Sequence, residues 1–131
     1  MLQLVYVSSA NPAMPAEMGP ILTTSRANNR RDGITGLLYS DHRRFLQVLE
    51  GPGEKVELAI ERIRHDPRHR AIVVLSRRDV AAREFGEWEM AQYFPGSDAD
   101  RFVARVSDLA ANAAPDVRAT FESFVKLRVA A

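Results

Sequence analysis

Residues 2–8, LQLVYVS, are apolar, β-branched and aromatic and run into a Ser-Ser-Ala-Asn-Pro cluster, the pattern of a strand closed by a turn. Met14, Met18, Ile21 and Leu22 then recur at helical spacing, which predicts an amphipathic helix over 15–29 ending at Asn28 and Asn29. After Gly33, the runs GITGLLYS and RFLQVLE flank Asp41-His42-Arg43-Arg44 and read as a hairpin. Past the Gly51-Pro52-Gly53 breaker, Val56, Ala59, Ile60 and Ile63 mark one face of a second helix that stops near Asp66-Pro67. AIVVLSRR and EWEMAQYF supply a fourth and a fifth strand. Two helices close the chain, one carrying Phe102, Val103, Val106 and Leu109, the other following Pro115 with Val117, Phe121, Phe124 and Val125.

This order predicts an α+β chain, a ferredoxin-like βαββαββ arrangement with a five-stranded mixed sheet. The first and third strands are expected as parallel neighbours at the sheet centre. Alternation then puts Leu2, Leu4 and Tyr6 on one face with Phe45, Gln47 and Leu49, and Val5, Val7, Leu46 and Val48 on the other. Both faces are apolar and need covers, so the first two helices are expected on one and the C-terminal pair on the other. A chain of 131 residues suits one domain, with 1–94 as the core and 95–131 as a helical cap of the same unit.

Composition removes several classes of function. Apolar residues make up 46% and charged residues 27%, an ordinary globular balance. The chain has no 18-residue apolar run and no basic segment leading into an apolar stretch at its start, so a soluble cytoplasmic protein without membrane contact is expected. With no Cys and three His, disulfides, thiolate metal sites and a Cys nucleophile are excluded, and a structural zinc site is disfavoured. A net charge of +1 argues against a domain that tracks nucleic-acid backbones. Most of the cations are Arg, clustered at 30–31, 43–44 and 62–70, which leaves room for one anionic ligand beside the plainer reading of solvated ion pairs.

Gln47 is the anomaly, a carboxamide inside Phe45-Leu46-Gln47-Val48-Leu49 on a central strand. An unpaired buried amide costs about 1 to 3 kcal/mol, so it needs a partner, either Tyr6 across the sheet or a ligand. Asn28 and Asn29 close the first helix, where Asn is a common cap, yet they also lie near the face carrying Tyr6 and Gln47. Two carboxamides, a Gln and a phenol can converge on the polar edge of a planar molecule. Trp88 and Met90 are two apart on a strand and share a face, where core packing competes with a role at the site.

The runs SRANNRRDGITGLLYS, FLQVLEGP, ERIRHDPRH and FGEWEM, with LVYVSSA at the start, resemble the BLUF domains, blue-light sensors that use flavin adenine dinucleotide. The similarity spans about residues 2–94; it departs from the family in lacking a hairpin Gly and in having Glu89 between Trp88 and Met90. The resemblance implies that the flavin ring sits between the two helices over the central strands. Tyr6 then matches the phenol that donates an electron and Gln47 the amide between phenol and flavin. Asn29 matches the amide that holds the ring edge, with Asn28 beside it. Arg62 and Arg68 fall where family members hold the other ring carbonyl or the phosphates, and Trp88 and Met90 match the residues that signal outward.

The expected function is a short blue-light photoreceptor with FAD bound, FMN or riboflavin being substitutes. It is expected to act through a separate protein partner or its own homo-oligomer, without turnover chemistry or direct contact with nucleic acid. Two other readings compete: a cofactor-free ferredoxin-like regulatory module in which Tyr6 and Gln47 satisfy each other, and a small hydrolase using Asn29 and an Arg. The hydrolase lacks a convincing nucleophile or carboxylate pair.

Overall fold

The expected strands form, and each is longer or shorter than its apolar run according to what pairs with it. The computed structural model describes residues 1–13, 18–94 and 96–130, with the side chains of 18–24 outside the description. Its elements are β1 (Leu2–Ala10), α1 (Met18–Asp32), β2 (Thr35–Ser40), β3 (Arg44–Gly51), α2 (Gly53–Arg64), β4 (His69–Asp79), β5 (Trp88–Gln92), α3 (Ala99–Leu109) and α4 (Pro115–Val129). β1 continues through Ser8, Ser9 and Ala10, where a turn was expected, because Ser9 is paired on both sides, with Arg44 and with Arg70. Met14 and the first residues of the expected helix lie outside the described residues, as do the side chains of Met18, Ile21 and Leu22.

The sheet order is β4-β1-β3-β2-β5, with β5 parallel to β2 and every other pair antiparallel. The expectation that β1 and β3 run parallel is therefore wrong. The crossover through α1 returns β2 parallel to β1, the hairpin reverses β3, and β3 enters the gap between them antiparallel to both. The placement of residues on the two faces holds, since Tyr6 stands directly opposite Gln47 and Leu4 opposite Leu49.

Helix α1 also runs three residues past the expected end, to Asp32. It stops in a Schellman turn: Gly33 adopts φ +68, its N–H donates to the Arg30 carbonyl, and the Ile34 N–H donates to the Asn29 carbonyl at 2.8 Å. Asn28 and Asn29 are thus inside the helix rather than capping it. A side chain at Gly36 would meet the Val48 carbonyl, so β2 approaches β3 only because that position is bare.

Two cores result. Leu2, Leu4, Tyr6, Ile34 and Leu49 pack with Val56, Ala59 and Ile60 of α2 on one face. On the other, Val5, Leu37, Tyr39, Leu46, Val48 and Ala91 pack under Phe102, Val106, Val117, Phe121 and Val125 of the C-terminal pair. Among the described residues no helix is long and apolar enough to cross a membrane.

Candidate functional site

A single row of side chains crosses the sheet on the α2 side. In register it runs Met90, Leu38, Gln47, Tyr6, from β5 through β2 and β3 to β1. Strands lie about 4.8 Å apart, so Gln47 and Met90 are separated by about 10 Å with Leu38 between them. Tyr6 and Gln47 are 1% and 5% exposed, and the Tyr6 hydroxyl donates to Gln47 Oε1 at 2.5 Å. Burial, and then the negative charge of Asp66, push the Tyr6 phenol well above its ordinary value. At neutral pH it is a protonated donor, so Gln47 presents its oxygen to Tyr6 and its Nε2 hydrogens elsewhere. Among the described residues those hydrogens meet no acceptor.

Asn29 is buried in the last turns of α1 and lines a groove of ≈ 610 Å³ with Arg26, Ile34, Thr35 and Trp88. Asn28 is half-buried beside it. Trp88 and Met90 both lie on the face of Gln47, Met90 buried and Trp88 half-buried, packed with Leu38 and Phe45. Trp88 Nε1 is buried without a hydrogen-bond partner among the described residues, and the Arg26 guanidinium sits 5.9 Å from its ring centre. The two implied arginines are each held by a carboxylate. Arg62 reaches Asp32 Oδ2 at 3.3 Å, tying α2 to the end of α1, and Arg68 is held by Asp66 at 2.6 Å. The Arg68 contact holds Asp66 below the ordinary carboxylate range.

The sequence matches the model of the BLUF family, sensors of blue-light using FAD, over residues 1–91. The chain belongs to the BLUF family. It is 33% identical over 94 residues to the photoactivated adenylate cyclase subunit beta of Euglena gracilis, covering 67% of this chain and 11% of that protein. It is also 33% identical over 85 residues to the blue light- and temperature-regulated antirepressor BluF of Escherichia coli (strain K12), covering 64% and 21%. The chain thus spans a small part of the curated relatives it matches. Among solved structures it resembles BlrB, a BLUF protein, with TM-score 0.70, 29% identity and 95% of each chain covered. It resembles Klebsiella pneumoniae BlrP1 with TM-score 0.79 and 28% identity, over 96% of this chain and 33% of that one.

A flavin ring presents carbonyl acceptors and an imide N–H along one edge, and the residues of this BLUF chain suit it. Gln47 Nε2, the Asn29 carboxamide and the orphaned Trp88 Nε1 can each serve the polar edge of such a ring, Asn29 and Trp88 from a groove also lined by Arg26, Thr35 and Glu89.

Sequence reasoning missed a second polar cluster, on the opposite face. Glu50 and Gln3 are both fully buried and stand opposite each other in register. Glu50 accepts Gln3 Nε2 at 2.8 Å and the backbone N–H groups of Glu84 and Phe85 at 2.8 and 3.1 Å. Glu84 in turn accepts the Ala114 N–H at the start of α4 and pairs with Arg78, which also donates to Gln3. The signal was present in the alternation: 3, 5, 7 and 46, 48, 50 share one face, and a Gln and a Glu interrupt it at matched positions.

Proposed function

We propose that this BLUF protein senses blue light with bound FAD, FMN or riboflavin serving as substitutes, through the Tyr6–Gln47 pair. When bound, the flavin supplies the blue absorption and the electron-accepting excited state. Asn29, with Asn28 beside it, orients the ring edge, and Arg62 and Arg68 hold the other carbonyl or the phosphates after exchanging their present carboxylate partners. On illumination Tyr6 would lose an electron to that acceptor, and its phenolic proton, made strongly acidic by the loss, would pass along the existing bond to Gln47 Oε1. Gln47 then turns or tautomerises, exchanging donor for acceptor with little backbone movement. Met90 and Trp88 respond on the same face, and β5 carries the change to α3 and α4, whose Arg105 already donates to the Met90 carbonyl at 3.3 Å. The output passes to a separate protein or to the protein's own oligomer.

The observation that carries this reading is a buried phenol bonded to a Gln whose second hydrogen-bonding group is open. A cofactor-free module is disfavoured by membership of a family of flavin-using sensors. The test is an absorption spectrum of flavin-loaded protein before and after blue light. Wild type should shift slightly to the red and recover. Tyr6→Phe should bind flavin without a photocycle, and Gln47→Leu should quench flavin fluorescence without the shift. A wild-type shift with wild-type recovery in Gln47→Leu would remove Gln47 from the mechanism.

A further inference from the structure

The C-terminal helices cover four of the five strands. The cluster beneath them draws on β1, β2, β3 and β5 and contains no residue of β4. On β4, Val73 stands opposite Val7 and shares its face, and Val73 and Leu75 are 53% and 48% exposed. On α4, Arg118 donates to Ser107 of α3. Leu127, nine residues on, lies about half a turn round the helix from Arg118 and so on the side away from α3. It is 75% exposed. Leu127 and Val73 border the uncovered strip of sheet, and Leu75 is exposed at the register shift between Val74 and Ser76.

The upper end of the strip is cationic. A groove of ≈ 580 Å³ there is lined by Ser9, Arg43, Arg44, Arg70 and Arg128, together with His42. Arg128 pairs with Asp41 at 2.8 Å, and Arg44 donates to Ser9 at 2.8 Å. Among the described residues Arg43, Arg44 and Arg70 have no carboxylate partner, and all three are exposed.

We propose that the bare face of β4 beside α4 is the docking surface for an acidic amphipathic helix of a partner protein, the partner called for by the proposed function. The apolar strip takes the helix's apolar side, and the arginine groove takes its carboxylates. The groove lining contains no carboxylate, so a second copy meeting it groove to groove would bring only cations together. The exposed Val73, Leu75 and Leu127 argue against nucleic acid, whose phosphates gain nothing from apolar surface. An added strand is disfavoured as well. The free edge of β4 is interrupted by register shifts opposite β1 and by Ala71 at φ +54, features that spoil edge pairing while leaving the face open.

The test pans a phage-displayed library of short random peptides on the intact protein in the dark, where no photocycle is needed. Loss of light response would show in the spectrum and loss of docking in the panning, so the two readings fail separately. Enriched peptides should be net acidic with apolar residues at helical spacing. Their affinity should fall about tenfold or more in Arg70→Glu and again in Val73→Ser. Both changes are at exposed positions, and an unchanged urea midpoint confirms that each variant is folded. Neutral or basic winners, no enrichment, or binding indifferent to both substitutions would overturn the proposal. So would a dimer in light scattering that Val73→Ser dissolves, or tighter binding of a DNA duplex than of any selected peptide.

Discussion

Replacing Glu50 with alanine removes an acceptor that serves three buried donors at once, the Gln3 amide and the Glu84 and Phe85 N–H groups. Each donor left unsatisfied costs about 1 to 3 kcal/mol, and relief from burying a carboxylate offsets part of the sum. A net loss of about 3 to 5 kcal/mol is expected, a large share of the 5 to 15 kcal/mol that holds a typical domain together, all of these being order-of-magnitude figures. Glu50→Gln separates chemistry from shape. Its oxygen can keep the two backbone bonds, but its nitrogen then faces the Gln3 nitrogen. Turning Gln3 over only moves the donor-donor clash to Arg78, which now donates to the Gln3 oxygen at 2.9 Å. One lost bond, about 1 to 2 kcal/mol, is the expected cost. Urea unfolding followed by the fluorescence of Trp88, the only tryptophan, measures both variants. An alanine variant within about 1 kcal/mol of wild type, or a glutamine variant as damaged as the alanine one, would refute the account of this cluster.

Asn29→Ala should weaken flavin binding by roughly tenfold, the equivalent of one lost hydrogen bond to the ring edge, in a fluorescence titration of the apoprotein; unchanged affinity takes Asn29 out of the site. Burial holds the His69 imidazole, 3.1 Å from Ser8 Oγ and tilted against the Phe45 ring, below its ordinary 6.5. The unfolded chain therefore takes up the proton first. Stability should be full above pH 6.5 and decline as pH falls through the lowered folded value, and His69→Gln should flatten that decline in urea midpoints measured across pH. Truncation after Phe94 should uncover Val5, Leu37, Tyr39, Leu46 and Val48 and give an aggregating protein; a soluble monomer would show that α3 and α4 are not the cover this core needs.

The strands, the hairpin and the face assignments were legible because period-two patterns survive in isolation: once the element order made β1 and β3 neighbours, alternation placed Tyr6 and Gln47 on one face. Strand direction was not, since parity is blind to polarity, and the same residues share a face whether β1 and β3 run parallel or antiparallel. The end of α1 was misjudged because Asn28 and Asn29 resemble a stop, while the true stop is a backbone motif at Gly33 and Ile34. The resemblance implied a role for Arg68 at the site, but nothing local in the sequence announced that Asp66, two residues away, would hold its guanidinium. Glu50 was passed over because one charged residue at the end of an apolar run reads as the strand leaving the core.

The direct opposition of Tyr6 and Gln47 also constrains how such a sensor can be altered or rewired. Even positions of β1 and odd positions of β3 carry the face of the photoactive pair, while the intervening positions hold the C-terminal helices. Substitutions can therefore revise the helix-facing surface of these strands one residue at a time and leave the other surface in place. Insertions and deletions have no such freedom. Adding one residue within β1 or β3 would turn part of the strand over, delivering Tyr6 or Gln47 to the helices and a valine to the site. Variation among sensors of this build should thus accumulate as replacements in the strands, with changes of length confined to the connections between them.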